Sequence, residues 1–348
     1  MIVFYISGHG FGHATRDIEL IREICSRDAD ARVIVRTSVP RWLFAPLAGA
    51  AVEVQALVTD TGVVQRDSLH LNEEETARQA ATFFADFDRR VAVEAGLIRG
   101  MGARLVIGDI PPLAFAAAQQ AEVPSLAIAN FTWDWIYSIY SAFDELAPEV
   151  IATIRRGYAG ATRALRLPIH GGFEPMAGVT RDIPFIARRS ARDPAETRRR
   201  LGLSSDLPVV LPSFGGHGTE LPLDALRRSG RFTVMDPVQE PPAGLLYQDL
   251  VAAADVVVSK PGYGIVSECV ANGTALLYTS RGRFIEYDVF VEEMPRILRC
   301  RHIAQDDLLA GRWDEAIESL LGQPAPPEHA AVNGAEVAAR EVLAMAGA

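Results

Sequence analysis

The sequence contains few cysteines, and none of them is spaced for a metal site or a disulfide framework. Cys25, Cys269 and Cys300 lie far apart in a chain of 348 residues. Zinc sites and disulfide-rich scaffolds use several cysteines at short, fixed spacings. We therefore expect reduced, buried thiols and a cytoplasmic protein.

Positive charge and long apolar runs are also lacking. The 34 lysines and arginines are outnumbered by 44 aspartates and glutamates, so the formal net charge is -10. Nucleic acid is not an expected partner, because neutralising phosphates takes clustered basic side chains. No apolar run is long enough to span a bilayer. The opening run Met1 to Ile6 has no basic leader and meets glycine directly, which predicts a first strand and not a signal peptide. Nothing in the sequence supports a peripheral membrane contact.

Two common nucleotide-binding motifs are missing as well. No G-x-x-x-x-G-K-[ST] loop occurs anywhere in the chain, which excludes a Walker site. The dinucleotide fingerprint G-x-G-x-x-G would need a glycine where the chain has His13. The second predicted strand ends in Arg36-Thr37-Ser38, without an acidic residue for a ribose. A dehydrogenase is therefore disfavoured.

What the chain does have is one pattern built twice: an apolar run, a glycine-rich loop and a helical pattern. The loops are Ser7 to His13 and Ser213 to Gly218. Predicted strands alternate with predicted helices in both halves, which indicates parallel sheets with crossover helices. The expected fold class is α/β, with two Rossmann-like domains whose sheets face each other across a cleft. The predicted strands are Ile2–Ile6, Arg32 to Arg36, Leu105 to Gly108, Ser125–Ala129, Val209–Pro212, Phe232 to Met235, Val256–Ser259 and Ala275–Tyr278; the predicted helices include Thr15 to Ser26, Glu73 to Arg99, Leu113 to Ala121 and Val332 to Met345.

A stretch rich in glycine and proline, Leu167 to Gly172, marks the expected domain boundary. We expect an N-terminal domain over residues 1–170 and a C-terminal domain over 171–330. Residues 331–348 are expected to form a helix that closes the fold.

The first glycine loop carries two histidines, His9 and His13, and the glycines Gly10 and Gly12. A histidine at a helix N-terminus has its cationic form disfavoured by the helix dipole, so His13 is expected to be neutral near pH 7. A neutral imidazole can act as a general base. The plain alternative is that His13 caps the helix or packs against the sheet.

Two polar or aromatic groups follow predicted strands of the first half. Asp109 comes at the end of a strand, at the edge where open α/β sheets place ligands. It is expected to orient a histidine or bind an acceptor hydroxyl, or else to cap the helix that begins near Leu113. The aromatic group Phe131 to Tyr137 follows the next strand, and either contacts an acceptor sugar or packs internally.

The second half contains a strand, a tight turn and a helix between Asp255 and Glu268. Gly262 and Gly264 keep side chains away from the turn, so free amides can meet phosphate oxygens at the helix N-terminus. Glu268 falls about one turn into the helix, where a carboxylate can accept both hydroxyls of a ribose. A solvated surface glutamate is the alternative.

The stretch from Asp249 to Arg281, DLVAAADVVVSKPGYGIVSECVANGTALLYTSR, resembles the donor-site motif of GT-B glycosyltransferases, especially the group containing the N-acetylglucosaminyltransferase of peptidoglycan synthesis. GHGFGHATR is similar to the N-terminal loop of that group. Together with GDIPPLAFAAAQQAEVPSLAIANFTWDWIY and SKPGYGIVSE, it also resembles the glycosyltransferase-like domain that precedes the kinase in plant L-arabinokinases. The resemblance extends over about residues 2–296.

The resemblance implies that the N-terminal domain holds the acceptor and the C-terminal domain the donor. His13 matches the catalytic histidine, and Glu268 would bind the ribose. Asp109 and His9 are further catalytic candidates because of their positions at the end of a strand and in the first glycine loop. The remaining donor-binding candidates are Gly10, Gly12, Ser213, Gly215, Gly216, His217, Lys260, Gly262, Tyr263, Gly264 and Ser267.

Two departures from the peptidoglycan enzyme leave alternatives open. That enzyme has no counterpart of His9, so either histidine could be the base. The sequence TSRGRFIEYDVF replaces its glutamine-rich contact to the donor sugar, and Arg283 and Glu286 are candidates for that role.

No metal site and no cofactor beyond the donor are expected. Asp28-Ala29-Asp30 and Asp86-Phe87-Asp88 match a metal-binding D-x-D formally. The first lies in a connection, and the second lies inside a helical pattern where the two carboxylates would diverge. Arg198 to Arg200 is most simply a solvated helix face.

The resemblance implies an inverting, metal-independent glycosyltransferase that uses a nucleotide diphosphate sugar, with UDP as the preferred nucleotide. Two alternatives remain: a non-catalytic nucleotide-sugar-binding or regulatory module, and a nucleotide-sugar 2-epimerase of the same fold. The epimerase would need several carboxylates near the donor, and the motif supplies mainly Glu268.

Overall fold

A computed structural model describes residues 1–67, 69–203, 206–214, 221–236 and 241–347 of the chain. The chain divides into two compact units. Unit 1 comprises Met1–Val64, Asn72–Ile186 and Asn333–Ala348, and unit 2 comprises Gln65–Leu71 and Ala187–Val332.

Unit 1 is built around a seven-stranded parallel sheet in the order β3-β2-β1-β4-β5-β6-β7. Its strands are β1 Ile2–Ile6, β2 Val33–Thr37, β3 Val52–Ala56, β4 Leu105–Asp109, β5 Ser125–Ala129, β6 Arg163–Arg166 and β7 Thr180–Asp182. Its helices are α1 Gly12–Arg27, α2 Glu73–Phe84, α3 Phe87–Gly100, α4 Pro112–Ala121, α5 Trp133–Tyr137, α6 Ala142–Leu146, α7 Val150–Ala159 and α15 Gly334–Ala346, with 3-10 helices at Arg41–Leu47 and Glu174–Val179.

The central strands of unit 1 are buried on both faces, which explains their continuous apolar sequences. Every residue of β1, β4 and β5 is buried. Alternate residues of a strand point to one face. On one such face, Val3, Tyr5 and Val106 pack with apolar side chains of α3 and α4.

Unit 2 holds a five-stranded parallel sheet in the order β12-β11-β10-β8-β9. Its strands are β8 Val209–Pro212, β9 Thr233–Val234, β10 Val256–Ser259, β11 Ala275–Tyr278 and β12 Cys300–His302. Its helices are α8 Pro194–Arg200, α9 Leu223–Ser229, α10 Tyr247–Ala253, α11 Tyr263–Asn272, α12 Ile285–Ile297, α13 Gln305–Leu309 and α14 Asp314–Leu321.

A short hairpin of unit 2 comes from an unexpected part of the chain. Between β3 and α2 the chain leaves unit 1, contributes Gln65–Leu71 to unit 2 and returns at Asn72. Gln65 and Leu71 form an isolated antiparallel bridge. Leu69 is 3% exposed and belongs to the same apolar core as Val256, Val258 and the side chains of α14. Leu69 therefore anchors the hairpin in the core of unit 2.

The division of the chain differs from the expected boundaries at 170 and 330. The segment after Leu167 still belongs to unit 1, because β7 pairs with β6. The C-terminal helix α15 also belongs to unit 1, where it packs against α1. Neither contact could be predicted, because the sequences of the three-residue strand β7 and of the terminal helix α15 do not indicate which unit they join.

One predicted helix is broken in the structure. The pattern from Glu73 to Arg99 forms two helices, α2 and α3, with Asp86 as the residue before α3. The sequence pattern predicted that Asp86 lies inside a helix, and this is wrong. Its carboxylate pairs with Arg89, one turn later in α3.

Gly334 fixes the start of α15 on unit 1. Its amide donates to the carbonyl of Phe185 at 2.9 Å. A methyl group at this position would overlap the carbonyl oxygen of Pro184 and lie 2.7 Å from the backbone of Phe185. Only glycine therefore fits without displacing this backbone.

We predict that Gly334→Ala lowers the free energy of unfolding of unit 1 by about 1–3 kcal/mol, because backbone atoms must move. The measurement is urea denaturation followed by circular dichroism. Gly96→Ala is the matched control, since Gly96 lies in α3 with no neighbour within 4 Å of the added methyl. It should stabilise by about 0.5–1 kcal/mol. Equal midpoints for the two variants would contradict the contact at Gly334.

Candidate active site

The strand order places a potential ligand site at the ends of β1 and β4. The chain builds β2 and β3 on one side of β1 and then places β4 on the other side. In open parallel sheets, ligands bind outside the carboxyl ends of the strands where the order reverses in this way. The residues at this edge include Ser7, directly after β1, and Asp109, the last residue of β4.

His13 and Asp109 lie in contact at this edge. His13 is the second residue of α1, and its Nδ1 lies 2.8 Å from Oδ1 of Asp109. Both side chains are buried. Asp109 does not cap α4, because that helix begins at Pro112 with Pro111 before it. The carboxylate is therefore directed at His13 and not at the following helix.

Arg16 grips the same carboxylate from one turn further along α1. Its Nε donates to Oδ2 of Asp109 at 2.5 Å, and its Nη2 donates to Oδ1. The remaining nitrogen, Nη1, donates to Oδ1 of Asn130 at 2.9 Å. Residues three apart on a helix face the same way, which explains why His13 and Arg16 reach one partner.

The ionisation of Asp109 decides which nitrogen of His13 carries the proton. Burial opposes ionisation, but the Arg16 guanidinium and His13 outweigh it and lower the pKa of Asp109 to about 2. An ionised carboxylate only accepts hydrogen bonds, so the contact with Asp109 favours the neutral tautomer of His13 that carries its proton on Nδ1. Nη2 of Arg16 also lies 3.0 Å from this nitrogen, and a guanidinium can only donate to it. In the tautomer with the proton on Nδ1, Nε2 of His13 keeps a lone pair, as a proton acceptor requires.

Asp17 is a second carboxyl group beside Asp109. It has no exposed surface. Burial raises its pKa well above the usual range, and the negative charge of Asp109 adds to the effect. The protonated form is therefore more favoured at Asp17 than at an exposed aspartate, while Arg16 pairs with Asp109.

His9 has the opposite tautomer. Its Nδ1 accepts from the amide of Val63 at 3.2 Å, so the neutral ring carries its proton on Nε2. The ring lies edge-on to Trp133 at 5.4 Å. Gly62 leaves room for it, since a Cβ there would come within 2.9 Å of three atoms of His9. In this tautomer His9 is a hydrogen-bond donor at Nε2 and not a base.

Asp60 connects the end of β1 to the aromatic group. It accepts from Ser7 Oγ at 3.0 Å and from Trp133 Nε1 at 2.8 Å. Burial raises the pKa of Asp60 to about 6, against these two hydrogen bonds. Phe131, Trp133 and Tyr137 are all buried, and Trp133 stacks on Tyr137. Internal packing, the second of the two alternatives, therefore describes these three rings.

The glycines of the first loop stay close to solvent. Gly10 is exposed and has a φ of +72°, a conformation that glycine adopts without strain. Gly12 is the first residue of α1 and is half-buried.

Unit 2 has a second strand-order reversal, between β8 and β10. Ser213 follows β8, and its amide donates to the carbonyl of Val258 at 2.8 Å. Its hydroxyl lies 2.5 Å from that of Tyr247. Lys260 follows β10 at the same edge. The candidates Gly215, Gly216 and His217 lie outside the described residues.

The turn after β10 leads into α11, which begins at Tyr263, one residue before the predicted start. The residue before this helix is Gly262, which has no side chain to cap it, and a helix N-terminus attracts anions. Gly262 precedes the helix in extended backbone, and Gly264 is its second residue. Tyr263 is buried, and Ser267 donates to the carbonyl of Gly264 at 2.9 Å.

Glu268 lies inside unit 2 and not on a solvated helix face. It is 3% exposed, and Nε of Arg188 donates to its Oε1 at 2.6 Å. Arg188 also lies over the ring of Tyr247 at 5.5 Å. The solvated alternative is therefore wrong, and Glu268 is an ion-paired carboxylate.

Arg281 organises the segment proposed to contact the donor sugar. It pairs with Glu286 at 3.1 Å and lies 3.7 Å from the centre of the Phe284 ring. Glu286 is buried near the start of α12, whereas Arg283 is exposed. The two sequence candidates thus differ: one is fixed by an arginine, and the other faces solvent.

Sequence reasoning missed Arg16, Asp17, Asn130 and Asp60. Arg16 had a usable signal, since it lies one helical turn after His13 in the loop motif. Asp60 had none, because it lies in an irregular connection 47 positions from its nearest catalytic candidate in the chain.

Comparisons with known proteins agree with this architecture. No protein-family model matches the chain. It is similar to the L-arabinokinase of Arabidopsis thaliana, with 28% identity over 356 residues that cover 97% of this chain and 34% of that protein. The chain thus spans about a third of the length of this curated relative.

Solved glycosyltransferase structures share its fold. The glycotransferase of kitacinnamycin matches with a TM-score of 0.61 and 17% identity over 99% of this chain and 98% of that one. Phytolacca americana UGT2, complexed with UDP-2fluoro-glucose and pterostilbene, matches with a TM-score of 0.59 and 13% identity over 98% of this chain and 93% of that one. Acinetobacter baumannii MurG matches with a TM-score of 0.55 and 10% identity over 99% of each chain. The expected GT-B fold and the resemblance to both groups of proteins are confirmed.

Within the described ranges, no helix is long and apolar enough to cross a membrane. The same part of the chain contains no group of three or more histidine, cysteine, aspartate or glutamate side chains arranged to hold a metal ion.

We predict that Arg16→Met destabilises unit 1 by about 3–5 kcal/mol, because it leaves the Asp109 carboxylate buried without its cation. Urea denaturation measures the effect. Arg22→Met is the matched control, since Arg22 lies on the same helix and pairs with Glu19 at the surface. It should change stability by less than about 1 kcal/mol. If both variants unfold at the same midpoint, the buried pair does not hold the site.

Proposed function

We propose that this chain is an inverting, metal-independent glycosyltransferase that moves a sugar from a nucleoside diphosphate sugar, preferably UDP-linked, to an acceptor hydroxyl. The observation that carries the proposal is the buried His13–Asp109 contact at the reversal point of a GT-B sheet. The resemblance to glycosyltransferases in both sequence motifs and fold supports it. A cytoplasmic location belongs to the proposal, in line with three free cysteines.

In the proposed reaction, His13 is the general base. Nε2 takes the proton of an acceptor hydroxyl, whose oxygen attacks the anomeric carbon. The bond from that carbon to the diphosphate oxygen breaks, and the diphosphate leaves with the electron pair. Asp109 holds the ring and stabilises the imidazolium that forms, at a Nδ1 to Oδ1 distance of 2.8 Å.

Unit 2 is proposed to hold the donor. The amides at the start of α11 and the cations Lys260 and Arg281 would stabilise the leaving diphosphate, which is the role a metal ion plays elsewhere. Arg281 lies close to the turn, since its Nη1 would be 3.8 Å from a Cβ on Gly262. Glu268 is proposed to accept the ribose hydroxyls, with Arg188 bonded to the same carboxyl group.

We predict that His13→Gln lowers kcat for UDP release from the accepted UDP-sugar by about 10²–10⁴-fold, the usual contribution of a general base. His9→Gln is the matched control and should lose less than about tenfold, because His9 presents a proton at Nε2 and not a lone pair. The measurement is released UDP at saturating donor. Full activity of both variants would refute a histidine base, and the reverse ranking would assign the base to His9.

We also predict that UDP raises the thermal midpoint of the protein in a screen against UDP, GDP and dTDP. A ligand at a hundred times its Kd stabilises the folded state by about 2.7 kcal/mol. Glu268→Gln should reduce the shift, whereas Glu315→Gln, at an exposed position of α14, should leave it unchanged.

The same screen separates the proposal from its rivals. UDP binding without turnover of any UDP-sugar would favour a non-catalytic binding module. Conversion of a UDP-sugar to its 2-epimer without UDP release would favour the epimerase. No shift with any nucleotide would end the proposal.

A further inference from the structure

Lys260 is the only lysine in the chain, which contains 33 arginines. Every other site that uses a permanent side-chain cation therefore uses arginine. A guanidinium stays charged at any pH a protein meets, while a lysine amine can lose its proton when buried. The single exception draws attention to what an amine can do at this position.

The sole lysine stands at the strand-order reversal of unit 2. It is the first residue after β10, two residues before the Gly262 that precedes α11. Its Nζ donates to Oε1 of Gln65 at 3.1 Å. Gln65 opens the hairpin Gln65–Leu71, which Leu69 anchors in the core of unit 2. A neutral amide therefore holds the amine, and no carboxylate is bonded to it among the described residues.

The charged groups that act on this amine come from two segments. Arg281, in the turn after β11, repels a proton on Lys260, while Asp67 of the hairpin attracts one. Asp67 is itself bonded to His70 at 2.8 Å. Burial is the largest influence, and with Arg281 it lowers the pKa of Lys260 to about 7. The amine is thus near half-protonation in neutral solution.

We propose that Lys260 takes up a proton when a diphosphate binds before α11, so that nucleoside diphosphate affinity falls as the pH rises above neutrality. The inference rests on the proposed function of unit 2. A diphosphate brings negative charge next to the amine, which favours the ammonium form. Arginine could bind the same anion but could not make the binding respond to pH.

The direction of the effect follows from linkage. Below about pH 7 the amine is already protonated before the ligand arrives, so affinity does not depend on it. Above that pH, binding must also draw a proton from solvent, and affinity falls by up to about tenfold per pH unit until the bound form also loses its proton. Lowering the pH therefore strengthens donor and product binding.

The sole lysine makes a direct test possible. The Lys260 amine and the chain's amino terminus are the only amines that acetic anhydride can acylate in this sequence, and mass spectrometry separates their two peptides from each other and from other acylated residues. Without ligand, the labelling rate of Lys260 should rise with pH and reach half of its maximum near pH 7. With saturating UDP or inorganic pyrophosphate, the half-maximum should move upward by at least about one pH unit. A half-maximum near 10 without ligand would overturn the inference.

Calorimetry of UDP binding between pH 7 and 9 tests the same idea in equilibrium. Wild-type affinity should fall by about 10–100-fold over this range. Lys260→Arg keeps the charge but cannot titrate there, so its affinity should change by less than about twofold. This variant also serves as the control for titration of UDP itself. Lys260→Met should bind weakly at every pH.

The outcomes separate this inference from the proposed function. UDP binding by the wild type that is as insensitive to pH as that of Lys260→Arg would overturn the proton uptake and leave the transferase proposal standing. Absence of binding by UDP, GDP, dTDP and their sugars would overturn both. A pH-dependent wild type beside a pH-independent Lys260→Arg would establish Lys260 as the group responsible.

Discussion

The Asp109 carboxylate must remain ionised inside unit 1, and much of the proposed chemistry depends on this constraint. Burial alone would favour the protonated acid, which would donate a proton where His13 needs an acceptor. Arg16 prevents this by bonding to both carboxylate oxygens. Asp17 next to it is the contrasting case, since burial and the charge of Asp109 raise its pKa even though Arg16 lowers it. The tautomer of His13 is thus a consequence of a guanidinium one helical turn away.

Arginine solves the same problem elsewhere in the chain. Arg36 donates to buried Glu94 at 2.8 Å, Arg188 to Glu268 at 2.6 Å and Arg281 to Glu286 at 3.1 Å. A planar guanidinium offers several donors in fixed directions and never deprotonates, so each of these buried carboxyl groups lies beside a permanent positive charge. Lys260 lies outside this scheme because its described side-chain partner is a neutral amide. The permanent side-chain cations of these ion pairs are therefore arginines, whereas the lysine amine is a cation that can lose its proton.

Much of the fold could be predicted from the sequence. The continuous apolar runs gave the bounds of β1, β5, β8, β10 and β11 as the structure has them, because central parallel strands are buried on both faces. The contact of His13 with Asp109 was anticipated in part, since Asp109 at the end of its predicted strand was expected to orient a histidine as one of its possible roles. The strand, turn and helix that contain Gly262 and Glu268 were likewise predicted. These are local signals, which a sequence carries in full.

The remaining features depend on contacts between distant parts of the chain. Asp60 meets Trp133 across 73 positions, and Arg188 meets Glu268 across 80. No periodicity records such pairings. The edge strands β6, β7 and β12 are short and partly exposed, so their sequences do not stand out from loops. The membership of Leu69 in the core of unit 2 was equally hidden, because a single leucine between polar residues resembles an ordinary surface loop.

The route of the backbone has a consequence for how the molecule can be made. Unit 1 needs α15 from the far end of the chain, and unit 2 needs Leu69 from within the first hundred residues. During synthesis on the ribosome, neither core has all its parts until nearly the whole polypeptide has emerged. A gene fragment for 187–332 would therefore encode unit 2 without the leucine that belongs to its core.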